Sequence, residues 1–371
     1  MNDVTEDIQK AGFLIIMHKY RLYKNWLLRL GIFVAALMVF LASFNYAIDP
    51  LWCFTHEHWF TTCQKAFSER QQKTNYLTYV NTRKYDTLII GNSRVCMINQ
   101  NDFQGVQAYN YSLAAITPYE FRDYIDYFKK VSGNPSVIYL GIHFQNTNPL
   151  LKASVEPPEY YIKNAQSRLY RFKTLFTKDT FGYSYDNLRI KKHIRKNRIN
   201  GYFYDQHNIA TPIKPNNESK RLDAIRSEVD DLRKTYRNDY TYRDDLAKSL
   251  TELIQSSPDT RFIPFTTPVS KPYFCAMVLE GKFSQYERWL KEMVGVFGQV
   301  WHFEYLNSIS LDYSKNFSDS HHFYAPVGTM IAHRITGVED AKTPSDFGIL
   351  LTKDNIDEQL AKIKADSVSC R

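Results

Sequence analysis

Asp86-Thr-Leu-Ile-Ile-Gly-Asn-Ser-Arg94 is the segment from which the class of fold follows. Its apolar half predicts a short buried strand, and the Gly91-Asn92-Ser93 triplet predicts the turn that ends this strand. A serine at the carboxyl end of a parallel strand projects above the sheet, where open α/β proteins place their sites. A helix after the turn would direct backbone N–H groups at an oxyanion formed there. The alternative interpretation is a serine that only caps this helix.

Short apolar runs elsewhere predict four more strands, over residues 108–113, 135–142, 261–266 and 300–304. Helical spacing appears between and around them, over residues 118–128, 221–254, 283–297 and 328–335. Strands that alternate with helices form parallel sheets covered on both faces. We therefore expect an α/β fold, a three-layer α/β/α arrangement around a mostly parallel five-stranded sheet. Residues 152–220 predict a partly helical insertion over the sheet, and residues 342–371 a peripheral tail.

The composition is that of a globular chain. Of its 371 residues, 44% are hydrophobic and 23% are charged, which excludes a disordered or fibrous protein. The formal net charge of +8 favours acidic partners or an anionic membrane surface, and says nothing about the fold.

An apolar run near the N-terminus predicts a membrane anchor. Residues 30–44 carry no charge, and with their flanks they form a stretch, residues 26–48, long enough to cross a hydrocarbon core. Basic residues crowd its N-terminal side, so residues 1–25 are expected in the cytoplasm and residues 49–341 outside it. A cleaved signal peptide and a buried core helix are the alternatives. The long N-terminal region and the poor cleavage site near Phe44 favour an uncleaved anchor.

Five cysteines are too few for a disulfide scaffold. Cys53 and Cys63 follow the anchor closely, and we expect them to bridge in an oxidising compartment. Cys96, Cys275 and Cys370 are expected to be unpaired.

A second motif, Asn316-Phe-Ser-Asp319-Ser-His-His322-Phe, lies far downstream, just before a predicted helix. An Asp and a His three residues apart in a loop can turn toward one point. The imidazole can deprotonate a serine, and the carboxylate can hold the imidazole's tautomer and stabilise its charged form. His321 is expected to point elsewhere. A purely structural Asp-x-x-His is the alternative interpretation.

Together the two motifs resemble those of the SGNH/GDSL hydrolase superfamily, whose first block carries the nucleophile and whose last block carries Asp-x-x-His. More narrowly, the chain is similar to membrane-anchored members that modify envelope polymers, such as the teichoic acid D-alanine transfer and alginate O-acetylation proteins. The shared features are the anchor, Asp49-Pro50 after it, the Gly-Asn-Ser-Arg block and the Phe-x-Asp-x-x-His-Phe block. Tyr109-Asn-Tyr-Ser-Leu-Ala-Ala-Ile-Thr-Pro118 looks like the second block. The match is weakest over residues 152–220.

The resemblance implies Ser93 as nucleophile, His322 as base and Asp319 as the acid that orients it. The oxyanion or substrate site would then be lined by the following residues: Asn92, Arg94, Ala115, His143 and Asn146. The family often has Gly where this chain has Ala115, and it reads Gly-x-Asn-Asp where this chain reads Gly141-Ile-His143-Phe144. His143 either donates a hydrogen bond in place of that Asn or is a satisfied structural histidine.

The resemblance also implies the function. We expect a single-pass protein of the bacterial inner membrane that transfers or hydrolyses acyl groups on an envelope polysaccharide or related polymer, with no cofactor and no metal. A multi-pass membrane O-acyltransferase and membrane lipid are the expected partners. The alternative is a catalytically silent accessory protein that binds polymer or scaffolds an acylation complex. The basic segment 189–198 is either a solvated face or a contact with lipid headgroups or anionic glycan, because the anchor argues against nucleic acid.

Overall fold

The structure, a computed structural model, describes residues 2–57, 60–80, 84–150, 156–196, 201–215 and 217–370, with side chains from residue 12 onward. Its strands are β1 Gln64–Lys65, β2 Thr87–Ile90, β3 Ala108–Asn110, β4 Val137–Gly141, β5 Tyr202–Tyr204, β6 Ala210–Pro212, β7 Arg261–Phe265, β8 Gln299–His302 and β9 Ile349–Thr352. Its helices are α1 Asn2–Ile48, α2 Glu69–Asn75, α3 Ser93–Cys96, α4 Phe121–Ser132, α5 Pro158–Gln166, α6 Tyr170–Thr174, α7 Lys178–Arg195, α8 Glu218–Lys234, α9 Leu246–Gln255, α10 Lys271–Leu279, α11 Phe283–Phe297, α12 Ser308–Leu311, α13 Tyr313–Asn316, α14 Ala325–Thr336 and α15 Ile356–Asp366.

The main sheet confirms the α/β fold with mostly parallel strands. Its order is β3-β2-β4-β7-β8-β9, and every neighbouring pair is parallel except β8 and β9. All four residues of β2 are buried, as expected for a central strand covered on both faces. The carboxyl ends of β2 and β4 therefore meet at one edge of the sheet, where Ser93 follows β2.

The sheet has six strands rather than the predicted five. Strand β9 pairs antiparallel with β8, with Leu351 opposite Val300, and comes from the segment expected to be a peripheral tail. Leu351 is fully buried, and in α15 Leu360 and Ile363 are buried in the same core. A short apolar run at the end of a chain gives a weak strand signal, since its partner lies some 50 residues earlier. Only the tertiary contact with β8 shows that it belongs to the sheet.

The disulfide prediction is wrong, because Cys53 and Cys63 are free thiols and Cys275 is bonded to Cys370. The Cys53 sulfur instead accepts a hydrogen bond from the Asn75 amide at 3.4 Å and packs in a small cluster with Leu51 and Phe54. Spacing along the chain suggested the local pair. The observed bridge joins α10 to the C-terminal turn across 95 residues, a proximity that only the fold creates.

We expect Cys370→Ser to lower the free energy of unfolding by about 2–4 kcal/mol, because a cross-link that closes a long loop restricts the unfolded chain. Protein made in an oxidising compartment should show a drop in Tm on reduction, and the variant should show none. Alkylation under denaturing conditions provides the control. Three thiols, those of Cys53, Cys63 and Cys96, should react before reduction and five after it. Five reactive thiols before reduction would contradict the bridge.

Helix α1 contains a stretch, Gly12–Ile48, that is long and apolar enough to cross a membrane, and its most apolar window is not buried in the protein. The predicted anchor, residues 26–48, lies within it. The C-terminal end of α1 packs on α7 and bonds to Leu175, which directly follows α6. The Asn45 amide donates to the Leu175 carbonyl at 2.8 Å, and the Ser184 hydroxyl donates to Asn45 Oδ1 at 2.9 Å. These bonds tie the apolar helix to the folded domain.

The described parts of the 152–220 insertion form α5, α6, α7 and the hairpin of β5 and β6. Strand β5 pairs antiparallel with both β1 and β6, which gives a separate three-stranded sheet. The Asn208 amide, in the turn of this hairpin, donates to the Asn110 carbonyl at the end of β3 at 2.9 Å. The small sheet is therefore fixed beside the edge of the main sheet that carries Ser93.

Candidate active site

Ser93 occupies a tight turn between β2 and α3. A Cβ on Gly91 would lie 2.5 Å from Val95 Cγ2 of α3 and 3.1 Å from the Gly141 carbonyl oxygen of β4, so the close approach of α3 and β4 requires glycine there. Asn92 caps the helix, and its Oδ1 accepts the Arg94 N–H at 3.1 Å. The Ser93 N–H, at the first position of α3, has no acceptor within the helix. It is therefore available to an oxyanion.

The side chains of Ser93, His322 and Asp319 form a continuous hydrogen-bonded series. His322 Nε2 lies 2.8 Å from Ser93 Oγ, and His322 Nδ1 lies 2.7 Å from Asp319 Oδ2. With the proton on Nδ1 donated to the carboxylate, Nε2 accepts from the serine hydroxyl. The two ends of the series are 226 positions apart in the sequence. The fold therefore brings the two predicted motifs into direct contact.

The Asp319 carboxylate is held in its charged form. Burial raises its pKa, but the charge and hydrogen bond of His322, together with His321, lower it more, so the pKa lies well below its usual range. Its Oδ1 also accepts the backbone N–H groups of His321 and His322, at 2.9 and 2.7 Å. An ionised and rigidly held carboxylate is the form needed to stabilise a protonated imidazole.

A cleft of about 680 Å³ opens beside Ser93. Its lining includes four of the five residues predicted for the oxyanion or substrate site, Asn92, Arg94, Ala115 and Asn146. It also includes the following residues: Thr117, Tyr119, Glu120, Gln145, Glu156, Arg243, Tyr273 and His321. His321 was expected to point elsewhere and instead faces this cleft, with its ring 4.2 Å from that of His322 and 5.3 Å from that of Tyr273. Burial lowers the pKa of His321, and the charge of His322 lowers it further.

Ala115 adopts a left-handed backbone conformation with φ of 51°, at the position where the resembling family often has glycine. A residue with a Cβ adopts this conformation at a cost of about 1–2 kcal/mol relative to glycine. The turn therefore keeps its geometry, and the protein is less stable by about this amount. The neighbouring Ala114 N–H donates to the Glu69 carboxylate. Within the described residues no acceptor takes the Ala115 N–H, which leaves it as a second candidate oxyanion donor.

His143 lies behind the cleft rather than in it. Its side chain is fully buried, with Nδ1 3.3 Å from the Thr267 hydroxyl, and Nε2 has no hydrogen-bond partner among the described residues. Burial lowers its pKa, and the charge of Arg94 adds to this effect. Its backbone N–H donates to Asn146 Oδ1 at 2.9 Å, so Asn146, which was predicted to line the site, caps the turn that His143 begins.

Sequence reasoning missed Glu304, which lies two residues beyond β8 and approaches Arg94. The Arg94 guanidinium donates to Gln145 Oε1 at 2.9 Å and to the Tyr273 hydroxyl at 2.8 Å, while its Nη1 lies 3.9 Å from Glu304 Oε2. Burial raises the pKa of Glu304 to about 7, against the opposing charge of Arg94. Glu304 could have been predicted because it is a carboxylate at the end of the apolar run of β8. The carboxyl end of that strand lies at the edge of the main sheet that carries Ser93.

We expect Glu304→Gln to change the pH dependence of stability. The folded-state pKa of about 7 lies above the ordinary value of 4.5, so wild-type protein loses stability as the pH rises through this window. At about 1.4 kcal/mol per pKa unit, the loss amounts to roughly 3 kcal/mol. The stability of the variant relative to wild type should therefore increase between about pH 4.5 and about pH 7. Denaturant midpoints measured across this range test it, and a pH-independent difference would contradict it.

The insertion also contributes to the site, through Tyr202 and Tyr204 of β5, which contact Glu69 of α2. This buried carboxylate accepts from the Ala114 N–H and from the hydroxyls of Tyr202 and Tyr204 on β5. The Tyr202 ring lies 6.2 Å from that of His322. The insertion was the region of weakest resemblance, so no motif pointed to these residues.

Asp319, His321 and His322 also offer ligand atoms within 4.8 Å of one another, which is the geometry of a three-ligand metal site. However, both ring nitrogens of His322 are already within hydrogen-bond distance of Asp319 and Ser93. A metal on His322 would have to displace one of these bonds. The arrangement fits the serine interpretation without rearrangement.

No protein-family model matches this sequence, and no curated protein matches it. The case for a function therefore rests on the geometry of the site.

Proposed function

We propose that this protein is a membrane-anchored serine acyltransferase or esterase with a three-layer, SGNH-like extracytoplasmic domain. Its substrate would be a cell-envelope polysaccharide or a related polymer. The observation that carries the proposal is the series Ser93–His322–Asp319, in which each hydrogen bond is 2.8 Å or shorter and the serine opens onto a cleft. A nucleophile, a base in reach of it and a carboxylate that orients the base define this class of site by geometry rather than by sequence order.

The chemistry follows in two halves. Ser93 Oγ attacks the acyl carbonyl while His322 Nε2 takes its proton, and the oxyanion is bound by the N–H groups of Ser93 and Ala115. The bond to the donor's alcohol then breaks, and the alcohol leaves with the proton from His322. In the second half a sugar hydroxyl or water gives its proton to His322 and attacks the acyl carbon of the acyl-enzyme. The bond between the acyl carbon and Ser93 Oγ then breaks, and Oγ takes the proton from His322, which restores the Ser93 hydroxyl and releases the new ester or the acid. No cofactor or metal is needed for either half.

The location proposed is the bacterial inner membrane, with the domain outside the cytoplasm. The excess of Lys and Arg before the apolar stretch of α1 supports this orientation. The bridge between Cys275 and Cys370 supports it independently, because disulfides persist in oxidising compartments. An acyl group exported by a multi-pass membrane O-acyltransferase would reach the domain at this surface.

Trapping the acyl-enzyme tests the proposal. Full-length protein in detergent, incubated with p-nitrophenyl acetate and quenched in acid, should carry one acetyl group on the peptide that contains Ser93. Glycan acceptors that speed its loss beyond the rate in water would identify a transferase. The adduct should form equally well in the presence of a chelator. Absence of the adduct, its formation on another residue, or its dependence on metal would overturn the proposal.

A silent accessory protein is the second candidate, and the segment Gly141-Ile-His143-Phe144 favours it. His143 replaces the asparagine of the resembling family and is buried away from the cleft, so it presents no side-chain donor there. Polymer acylation in cells separates the two functions. A strain with Ser93→Ala should lose acylation if the protein is the enzyme, and should keep it if the protein only binds or scaffolds.

A further inference from the structure

An exposed apolar surface lies on the insertion helices, next to the end of α1. Six exposed, large hydrophobic side chains fall within twenty residues, and we call them the α6–α7 surface: Leu169, Phe172, Phe176, Phe181, Tyr185 and Leu188. Clusters of this kind on a folded domain mark interaction sites, whereas single exposed hydrophobic residues need no explanation.

One face of α7 accounts for half of this surface. Phe181, Tyr185 and Leu188 follow the spacing of a single helical stripe, and the exposed Lys192 continues it. The opposite face is buried. Asn187 on that face accepts the Lys65 N–H at 3.0 Å, which joins α7 to β1. The apolar stripe is therefore not available to the core of this domain.

The position of α1 indicates what covers the α6–α7 surface. A hydrocarbon core of about 30 Å takes roughly 20 helical residues, and counting from Leu30, the first residue after Arg29, reaches Asp49. The rings of Phe44 and Phe181 are 5.4 Å apart, so α7 meets α1 inside the last turns of this span. Asn45, a polar side chain at the same level, is satisfied by Leu175 and Ser184 rather than left unpaired.

We propose that the α6–α7 surface lies on the bilayer that α1 crosses, with its apolar side chains at the boundary between headgroups and acyl chains. The charge around it fits an anionic lipid surface. Lys173, Lys178 and Lys192 are exposed around the stripe, and Arg189 donates to the Tyr185 hydroxyl at 2.6 Å. Basic residues beside aromatic and aliphatic ones are the composition of helices that rest in the membrane interface. This inference rests on α1 spanning a membrane, and does not depend on any activity at Ser93.

Such a contact would hold the catalytic domain at a defined height. Helix α7 is bonded to β1, β1 pairs with β5, and Tyr202 of β5 bonds to Glu69 beneath the site. The surface that rests on lipid and the cleft that holds Ser93 thus belong to one connected body. The orientation of the cleft relative to the membrane would then be restricted, so that an acyl donor in or near the membrane meets it in a defined position.

Lipid-borne quenching tests this contact in the full-length protein. Bimane is attached to Leu188→Cys, and as a matched control to Leu311→Cys, in vesicles of phosphatidylethanolamine, phosphatidylglycerol and a nitroxide-labelled lipid. The two leucines are similarly exposed, at 42% and 51%, and Leu311 belongs to α12, outside the α6–α7 surface. The native thiols of Cys53, Cys63 and Cys96 are buried, so labelling of unmodified protein measures the background.

Quenching at position 188 should exceed that at position 311 by about threefold or more, because an interfacial side chain contacts the labelled lipid directly. Equal quenching at the two positions, with the protein recovered in the vesicle fraction, would overturn the proposal. So would a label at position 188 that is shielded from water but unquenched by lipid, which would show a second copy or another protein on this surface. Because no ester turnover is measured, failure here and failure of the proposed function remain distinguishable.

Discussion

Ser93→Ala is expected to reduce acyl transfer or ester hydrolysis by roughly 10³–10⁶-fold in kcat, with little change in KM. The substitution removes the only atom that forms the acyl bond, while the pair of His322 and Asp319 and the lining of the cleft remain. Residual turnover would come from the backbone oxyanion donors and from substrate positioning. Initial rates with a chromogenic acyl ester measure the effect.

The matched control is Ser284→Ala, an exposed serine on α11 that is not among the residues lining the cleft. It should leave kcat within about twofold of wild type, because surface substitutions rarely disturb the fold. Retention of more than a tenth of the wild-type kcat by Ser93→Ala would rule out the serine mechanism. Loss of activity in both variants to the same extent would point to a defect in folding or preparation, which the Tm of each variant identifies.

Asp319→Asn is expected to lower kcat by about 10⁴-fold while the fold is retained. An asparagine can still accept the backbone N–H groups of His321 and His322 through its oxygen. Its amide N–H, however, would donate to His322 Nδ1 and leave the proton on Nε2, which then cannot accept from Ser93. The loss of the negative charge also removes the stabilisation of protonated His322. Steady-state kinetics should show the change in kcat and not in KM.

The chain offers a matched control for this substitution. Asp340 lies 3.2 Å from His333 Nδ1 in a second Asp–His pair, outside the cleft, so Asp340→Asn removes a similar contact without touching the site. Its kcat should stay within about threefold of wild type. A decrease of less than tenfold in Asp319→Asn would contradict the proposed role. An activity lost with a chelator and restored by a divalent metal would instead favour the metal arrangement of Asp319, His321 and His322.

Local pattern was sufficient for the parts of the fold that local physics dictates. An apolar run followed by Gly91-Asn92-Ser93 identifies a strand, a turn and the start of a helix, because these features depend on residues adjacent in the chain. Asp319 and His322 were recognisable as a pair for the same reason, since three positions separate them. Five of the six strands of the main sheet carry such a pattern, and the structure contains all five.

Features made by distant residues were not recoverable in this way. Strand β9 is a strand because β8 offers it an edge, and Cys275 pairs with Cys370 because α10 and the tail pack together. Burial raises the pKa of Glu304 against the opposing charge of Arg94, and this burial comes from segments that are distant in the sequence. The orientation of His321 into the cleft was also missed, because consecutive loop residues have no fixed period that assigns them to opposite sides.

The chain thus carries, in contiguous residues, the Gly91-Asn92-Ser93 turn, the Asp-x-x-His pair and the apolar stretch suited to a membrane. These features, and the alternation of strands and helices, can be predicted from the sequence because they depend on interactions between residues a few positions apart. The tertiary structure alone decided that Ser93 and His322 lie within 2.8 Å, that the insertion meets the end of α1, and that the tail completes the sheet. Such contacts arise from the burial of apolar surface shared by remote segments, which no single segment encodes.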